Sequence, residues 1–184
     1  MKKLMMLLVV LMVCFSVNAV IAAEVTEPAF KAEIDFSEGA SGWVPMGSPS
    51  LTLVKDEVKV GTESLKVSGR TQGWESPLFD ITDVLTEGGT YQFSIFVKLT
   101  TGTPNTKGHI TLRSNDTGGT ESYTWISDEF ELNDSEWVEI KTSDFKFSLE
   151  NMLELAIYIE VNEVSASFYM DDFTITGDQP ITLP

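Results

Sequence analysis

Tyr91-Gln-Phe-Ser-Ile-Phe-Val-Lys-Leu99 decides the fold of this chain. Successive side chains of an extended backbone point to opposite sides. Tyr91, Phe93, Ile95, Val97 and Leu99 therefore share one face, and Gln92, Ser94, Phe96 and Lys98 share the other. A helix would scatter the same apolar residues around its circumference, so the segment reads as a strand with one face in a core. A second run repeats the pattern: Leu153, Leu155, Ile157, Ile159 and Val161 alternate with Glu154, Ala156, Tyr158, Glu160 and Asn162.

Outward from these two runs, weaker alternation is read at 30–36, 50–59, 63–68, 108–114, 121–127, 136–141 and 166–176. Turn-forming clusters separate them at Ser37–Gly42, Glu87–Gly89, Thr101–Gly108 and Asn115–Gly119. From Ala29 onward no convincing helical period appears. Many short strands spaced by turns predict an all-β fold, an antiparallel β-sandwich of the jelly-roll kind. Inner faces build the core of such a sandwich, and outer faces meet water or a ligand.

Residues 1–23 read as a secretory signal peptide. Lys2 and Lys3 precede an apolar run from Leu4 to Val17, followed by small residues at Ala19, Ala22 and Ala23. Cleavage is expected after Ala23, with Ala19 as the competing site. Val13 disfavours a lipoprotein reading of Cys14, and the apolar run is short for a membrane span of about 20 residues. The chain is thus expected to be secreted and extracellular, without membrane association after processing. Residues 24–29 read as a linker, 30–177 as one module and 178–184 as a C-terminal tail.

The sole cysteine lies in the leader, so the remainder carries no thiol or disulfide. The whole chain has a formal charge of −16; without the two leader lysines, 10 basic and 28 acidic residues leave −18. Such a balance repels nucleic acid and anionic membranes and is compatible with a neutral ligand or a divalent cation. A monomer is expected.

Catalytic signatures are sparse. His109 is the only histidine, no HExxH or GxSxG spacing is present, and among 28 acids chance carboxylate pairs are unavoidable. Binding signatures are stronger. In Gly61-Thr-Glu-Ser-Leu-Lys-Val-Ser-Gly-Arg-Thr-Gln-Gly-Trp74, glycines 69 and 73 allow a tight turn, and Trp74 follows it among polar neighbours. That ring either stacks on a ligand or folds back as a lid on the core. Tyr158 and Glu160 share the face opposite the aliphatic row, where a ring can stack a sugar and a carboxylate can accept its hydroxyls. Tyr123 and Trp125 also share a face, left open between inner and outer because Ile126 argues for the opposite one. Trp43 and Trp137 each precede a valine and read as core. Asp171-Asp172 in the last strand, with Asp35 and Glu38 closing the first, offer carboxylates for calcium, which takes six to eight oxygens.

The stretches Gly61–Trp74, Pro77-Leu-Phe-Asp-Ile-Thr-Asp-Val-Leu85, Gly89–Lys98 and Ser167-Phe-Tyr-Met-Asp-Asp-Phe-Thr-Ile175 resemble the carbohydrate-binding modules of families 4, 9 and 22, family 22 most closely. The resemblance spans about residues 30–177. It implies a jelly roll with a ligand groove on one sheet, often with a structural calcium elsewhere. Trp74, Tyr123, Tyr158 and Glu160 match the family's groove residues, whereas Met46 stands where some members carry an arginine. Ser37 replaces an expected acid, so the calcium expectation rests on Asp171, with Asp35 and the carbonyls near Val60. The implied function is non-catalytic binding of plant cell-wall polysaccharide, xylan first and mixed-linkage β-glucan or amorphous cellulose next. Arg70 and Gln72 are expected to read hydroxyls, and a glycoside hydrolase is the expected partner. The alternatives are the front end of a xylanase or other hydrolase, and a cell-surface interaction domain with a lost groove.

Overall fold

The structure, a computed structural model, describes residues 30–184; the expected signal peptide and linker lie outside the described residues. Thirteen strands follow one another: β1 (Phe30–Ile34), β2 (Trp43–Met46), β3 (Ser50–Val54), β4 (Ser64–Ser68), β5 (Ser76–Asp80), β6 (Thr90–Leu99), β7 (Thr106–Asp116), β8 (Glu121–Trp125), β9 (Phe130–Leu132), β10 (Val138–Lys141), β11 (Phe145–Lys146), β12 (Met152–Val161) and β13 (Phe168–Gly177). They form two antiparallel sheets, the expected sandwich. One runs β10-β6-β13-β4-β3, with β1 added on β13 and β11 on β6; the other runs β2-β5-β12-β7-β8, with β9 added on β7.

Strand β6 carries the decisive alternation, and all five of its predicted inward residues are buried to 1% exposure or less. Between the sheets, Trp43 packs on Phe79 and Phe173 with ring centroids 5.2 and 5.1 Å apart. Phe93 lies parallel to Phe173 at 6.4 Å, which ties β6 to the same aromatic cluster. Offset and edge contacts of this kind add to the burial free energy of each ring.

Two expectations of facing need correction. Trp137 is half-buried on the outer face of the seven-stranded sheet, its ring 6.4 Å from Tyr169. Val138 pairs with inward Val97, so its preceding neighbour must point outward. Leu153 is 59% exposed because a register shift between Met152 and Glu154 breaks the alternation at the start of β12. Such a bulge inserts a residue and re-aims those before it.

A second bulge shapes β13. The register with β6 shifts between Asp171 and Thr174, and Asp172 takes φ 50° there. The shift lets Met170 and Phe173 both enter the core and leaves Asp171 buried. Its carboxylate accepts the backbone N–H of Lys59 (2.7 Å) and Val60 (3.0 Å) on one oxygen and that of Asp172 (2.7 Å) on the other. Burial raises the Asp171 carboxyl above its ordinary range despite these donors. The side chain pins the long β3–β4 connection to β13, the last strand. Asp171→Ala strands three amides and is expected to cost about 3 kcal/mol or more in urea unfolding; a loss below about 0.5 kcal/mol contradicts this tie.

Candidate functional site

The outer face of the six-stranded sheet is built in rows. On β12, Tyr158 stands opposite Leu78 of β5 and Thr111 of β7, and Thr111 stands opposite Trp125 of β8. One row along, Ala156 faces Arg113, which faces Tyr123; in the other direction Glu160 faces His109. Side chains at these positions share one face because strand neighbours two apart do. Of these, Arg113, Tyr123, Trp125, Tyr158 and Glu160 line a groove of about 630 Å³ together with Met46, Trp74 and Glu121.

Aromatic rings make its walls. Trp74, Tyr123 and Trp125 are 45%, 54% and 65% exposed. Tyr158 points the same way but is only 2% exposed, covered by Leu78, Ala156 and Met46, so it forms the floor. Tyr123 meets it edge-on at 6.5 Å and 83°. Trp125 leans on the buried ring of His109 at 4.2 Å. Trp125 thus joins the site, a residue not chosen beforehand: Ile126, just beyond the end of β8, packs on the core, and parity turns Trp125 and Tyr123 outward together.

Polar groups are fixed around these rings. Glu160 Oε2 accepts from Thr111 Oγ1 at 3.0 Å and from the Tyr158 hydroxyl at 3.3 Å, with His109 Nε2 3.4 Å away. Burial, then the Glu160 charge, pushes the Tyr158 phenol well above its ordinary range, so it remains a neutral donor. At the β8 edge, Arg113 donates to Glu121 at 2.6 Å and to Glu154 at 3.0 Å, and the Tyr123 hydroxyl donates to Glu121 at 2.8 Å. The bond to Glu121 raises both Arg113 and Tyr123, and the bond from Arg113 lowers Glu121. Arg113 and Glu121 carry no sequence motif that marks them in advance.

Trp74 sits on a loop that is locked from behind. Buried Arg70 donates to the carbonyls of Gly73 (2.6 Å), Glu75 (2.7 Å), Val161 (2.8 Å), Glu163 (3.0 Å) and Ala166 (3.1 Å). Burial lowers its guanidinium to about 10, still protonated at neutral pH. Glu75 accepts the N–H groups of Ser48, Thr71 and Gln72. Gly47, at φ +80°, gives the ring room: a Cβ there would lie 2.9 Å from Trp74 Cζ3. These contacts correct the expectation for Arg70, whose donors are taken up by main chain and cannot read a sugar. Gln72 is exposed on the loop and is not among the groove-lining residues. Trp74 is a wall and not a lid.

The calcium expectation meets a different donor set. Asp171 already accepts three amides, and Asp35 Oδ1 accepts the Ser37 N–H at 3.0 Å. Asp35 and Val60 line a separate surface hollow. Among the described residues no three acidic or imidazole groups converge to hold a metal. As arranged, Asp171, Asp35 and Val60 do not make a shell of six to eight oxygens.

The chain matches the family described as "Carbohydrate binding domain" over residues 32–167. It is 30% identical over 138 residues to endo-1,4-beta-xylanase A of Thermoanaerobacterium saccharolyticum, covering 75% of this chain and 12% of that protein. The chain therefore spans about an eighth of that relative's length. The CBM22-1 xylan-binding domain of Paenibacillus barcinonensis Xyn10C superposes with TM-score 0.74 at 24% identity, over 80% of this chain and 94% of that one. The CBM22-1-GH10 modules of Clostridium thermocellum xylanase 10B, complexed with xylohexaose, superpose with TM-score 0.71 at 24% identity, over 80% and 28%.

The Thr71 N–H, helped by the Thr71 hydroxyl and the N–H groups of Ser48 and Gln72, holds the Glu75 carboxyl below its ordinary 4.5 against the opposing effect of burial. A lowered carboxyl contributes stability above 4.5 that is lost as pH falls through the folded value. Thermal melts of wild type and Glu75→Gln are expected to differ most at neutral pH and to converge under acid; a gap that widens toward low pH contradicts the assignment.

Proposed function

Because this chain belongs to the carbohydrate-binding domain family, we propose that its groove binds β-1,4-linked polysaccharide, xylan first and mixed-linkage β-glucan or amorphous cellulose next. The domain is non-catalytic, as the binding domains of its family are. The observation that carries the proposal is the set of exposed rings, Trp74, Tyr123 and Trp125, standing around the Glu160 carboxylate above the Tyr158 floor. The axial C–H groups of a pyranose ring present a flat apolar face that packs on an aromatic plane, and the equatorial hydroxyls project sideways. Glu160 is placed to accept those hydroxyls. Rings held rigidly lose little conformational freedom on binding, so their contact area converts efficiently into affinity.

Secretion belongs to the same proposal, because plant cell-wall polysaccharide lies outside the cell and the leader reads as a signal peptide. The curated relatives include several xylanases and an exoglucanase, all many times longer than the aligned region. We propose that the chain works beside a catalytic domain of that kind, in the same polypeptide or as a partner. Holding such an enzyme on its insoluble substrate raises the effective concentration of cleavable bonds.

Trp74→Ala removes one wall and leaves the Arg70 clamp in place. Calorimetric titration with xylohexaose is expected to show affinity reduced about tenfold to a hundredfold, with an unchanged unfolding midpoint. Equal affinity of variant and wild type contradicts the groove, and reducing-sugar release from xylan by the purified domain contradicts the non-catalytic assignment.

A further inference from the structure

We infer that the groove admits neutral stretches of β-1,4-linked glycan and discriminates against units bearing a uronic acid, because its carboxylates outnumber its cations and each cation is already held. The inference rests on the polysaccharide reading above and narrows it to a class of chain.

The only cation lining the groove among the described residues is Arg113. Both of its arms are engaged, one by Glu121 at 2.6 Å and one by Glu154 at 3.0 Å. Its single positive charge is therefore shared between two negative ones. The hydrogen bonds Glu160 accepts come from neutral hydroxyls, those of Thr111 and Tyr158, which orient the carboxylate without cancelling its charge. His109 Nε2 lies 3.4 Å from it on a ring that is 1% exposed, out of a ligand's reach. Arg70 faces Glu160 from behind the Trp74 loop, but Glu75 and Glu163 share its field and its donors all end on carbonyls.

A glycan carboxylate brought into this groove loses water and finds one lining cation, Arg113, whose charge is already shared between Glu121 and Glu154. Neutral hydroxyls meet no such penalty, because Glu160 and the Arg113–Glu121 pair can exchange hydrogen bonds with them. A like charge held at about 6–10 Å weakens binding by about twofold to threefold at the dielectric of bulk water. At an effective dielectric of about 20 the loss is more than about tenfold, so about fivefold is an intermediate value, and salt removes most of that effect.

The test compares one xylo-oligosaccharide bearing a single 4-O-methylglucuronic acid branch with its methyl ester, which has nearly the same shape and no charge. Unbranched xylohexaose serves as the neutral reference. Calorimetric titration at low salt is expected to show the acid about fivefold weaker than the ester. At about 0.5 M salt the two are expected to converge. Glu154→Gln, which removes one of the two negative charges paired with Arg113, is expected to narrow the low-salt gap. Equal affinity of acid and ester at low salt, tighter binding of the acid, or a gap indifferent to salt overturns the inference while leaving the polysaccharide reading intact. Failure of all three oligosaccharides to bind overturns that reading and this inference with it.

Discussion

Five carbonyl oxygens converge on one guanidinium, and the groove depends on that convergence. Gly73 and Glu75 belong to the loop that carries Trp74, Val161 ends β12, and Glu163 and Ala166 lie in the connection that leads into β13. Arg70 thus joins the loop to the strand that supplies Tyr158 and Glu160. A buried guanidinium needs its donors filled, and these carbonyls would otherwise be short of partners away from water. Lysine, a single point charge with three donors, could not span the same fan of acceptors. Phe168 closes the arrangement with its ring 5.4 Å from the guanidinium carbon. With the loop held in this way, an exposed tryptophan keeps a fixed orientation and need not be ordered by a ligand.

The opposite wall is secured differently. Every residue of β8 is exposed, so that edge strand has little burial to hold it. Its backbone pairing with β7 is reinforced by Arg113, which reaches Glu121 on β8 and Glu154 on β12. Glu121 in turn holds the Tyr123 hydroxyl. One ion-paired cluster therefore orients a ring and at the same time sets the electrical character of the groove. The long-range acidity of the whole chain, −16, acts in the same direction.

The architecture was legible because its signal is local. Residues 91–99 alternate without interruption, and β6 buries every one of the predicted inward positions. Leu153 shows where the signal stops: a bulge is a matter of pairing with β7, which parity within one strand does not encode. Trp137 reads as core because it precedes a valine in a strand-like stretch, but it is Val138 that takes the inward position, opposite Val97. Trp74, Tyr123, Tyr158 and Glu160 were within reach of parity, turn chemistry and family likeness, and the fold gathers all four into one groove. Arg70 is expected to read sugar hydroxyls, and in the structure all its donors end on main chain. Three of its five acceptors come from residues 161–166, more than ninety positions away, and only the packed chain brings them together. Asp171 is expected as a calcium ligand, and its carboxylate is answered by three backbone amides.

The four tryptophans offer a direct view of the central claim, that a glycan lies in the groove on the six-stranded sheet. Trp74 and Trp125 line that groove, Trp43 is buried between the sheets, and Trp137 lies on the far face. Each contributes one indole N–H resonance to a nitrogen-correlated NMR spectrum of the labelled protein. Titration with xylohexaose is predicted to shift the Trp74 and Trp125 signals in a saturable manner and to leave those of Trp43 and Trp137 in place. A saturable shift confined to Trp137, or no shift at Trp74 and Trp125 under conditions where the oligosaccharide binds, would contradict the account.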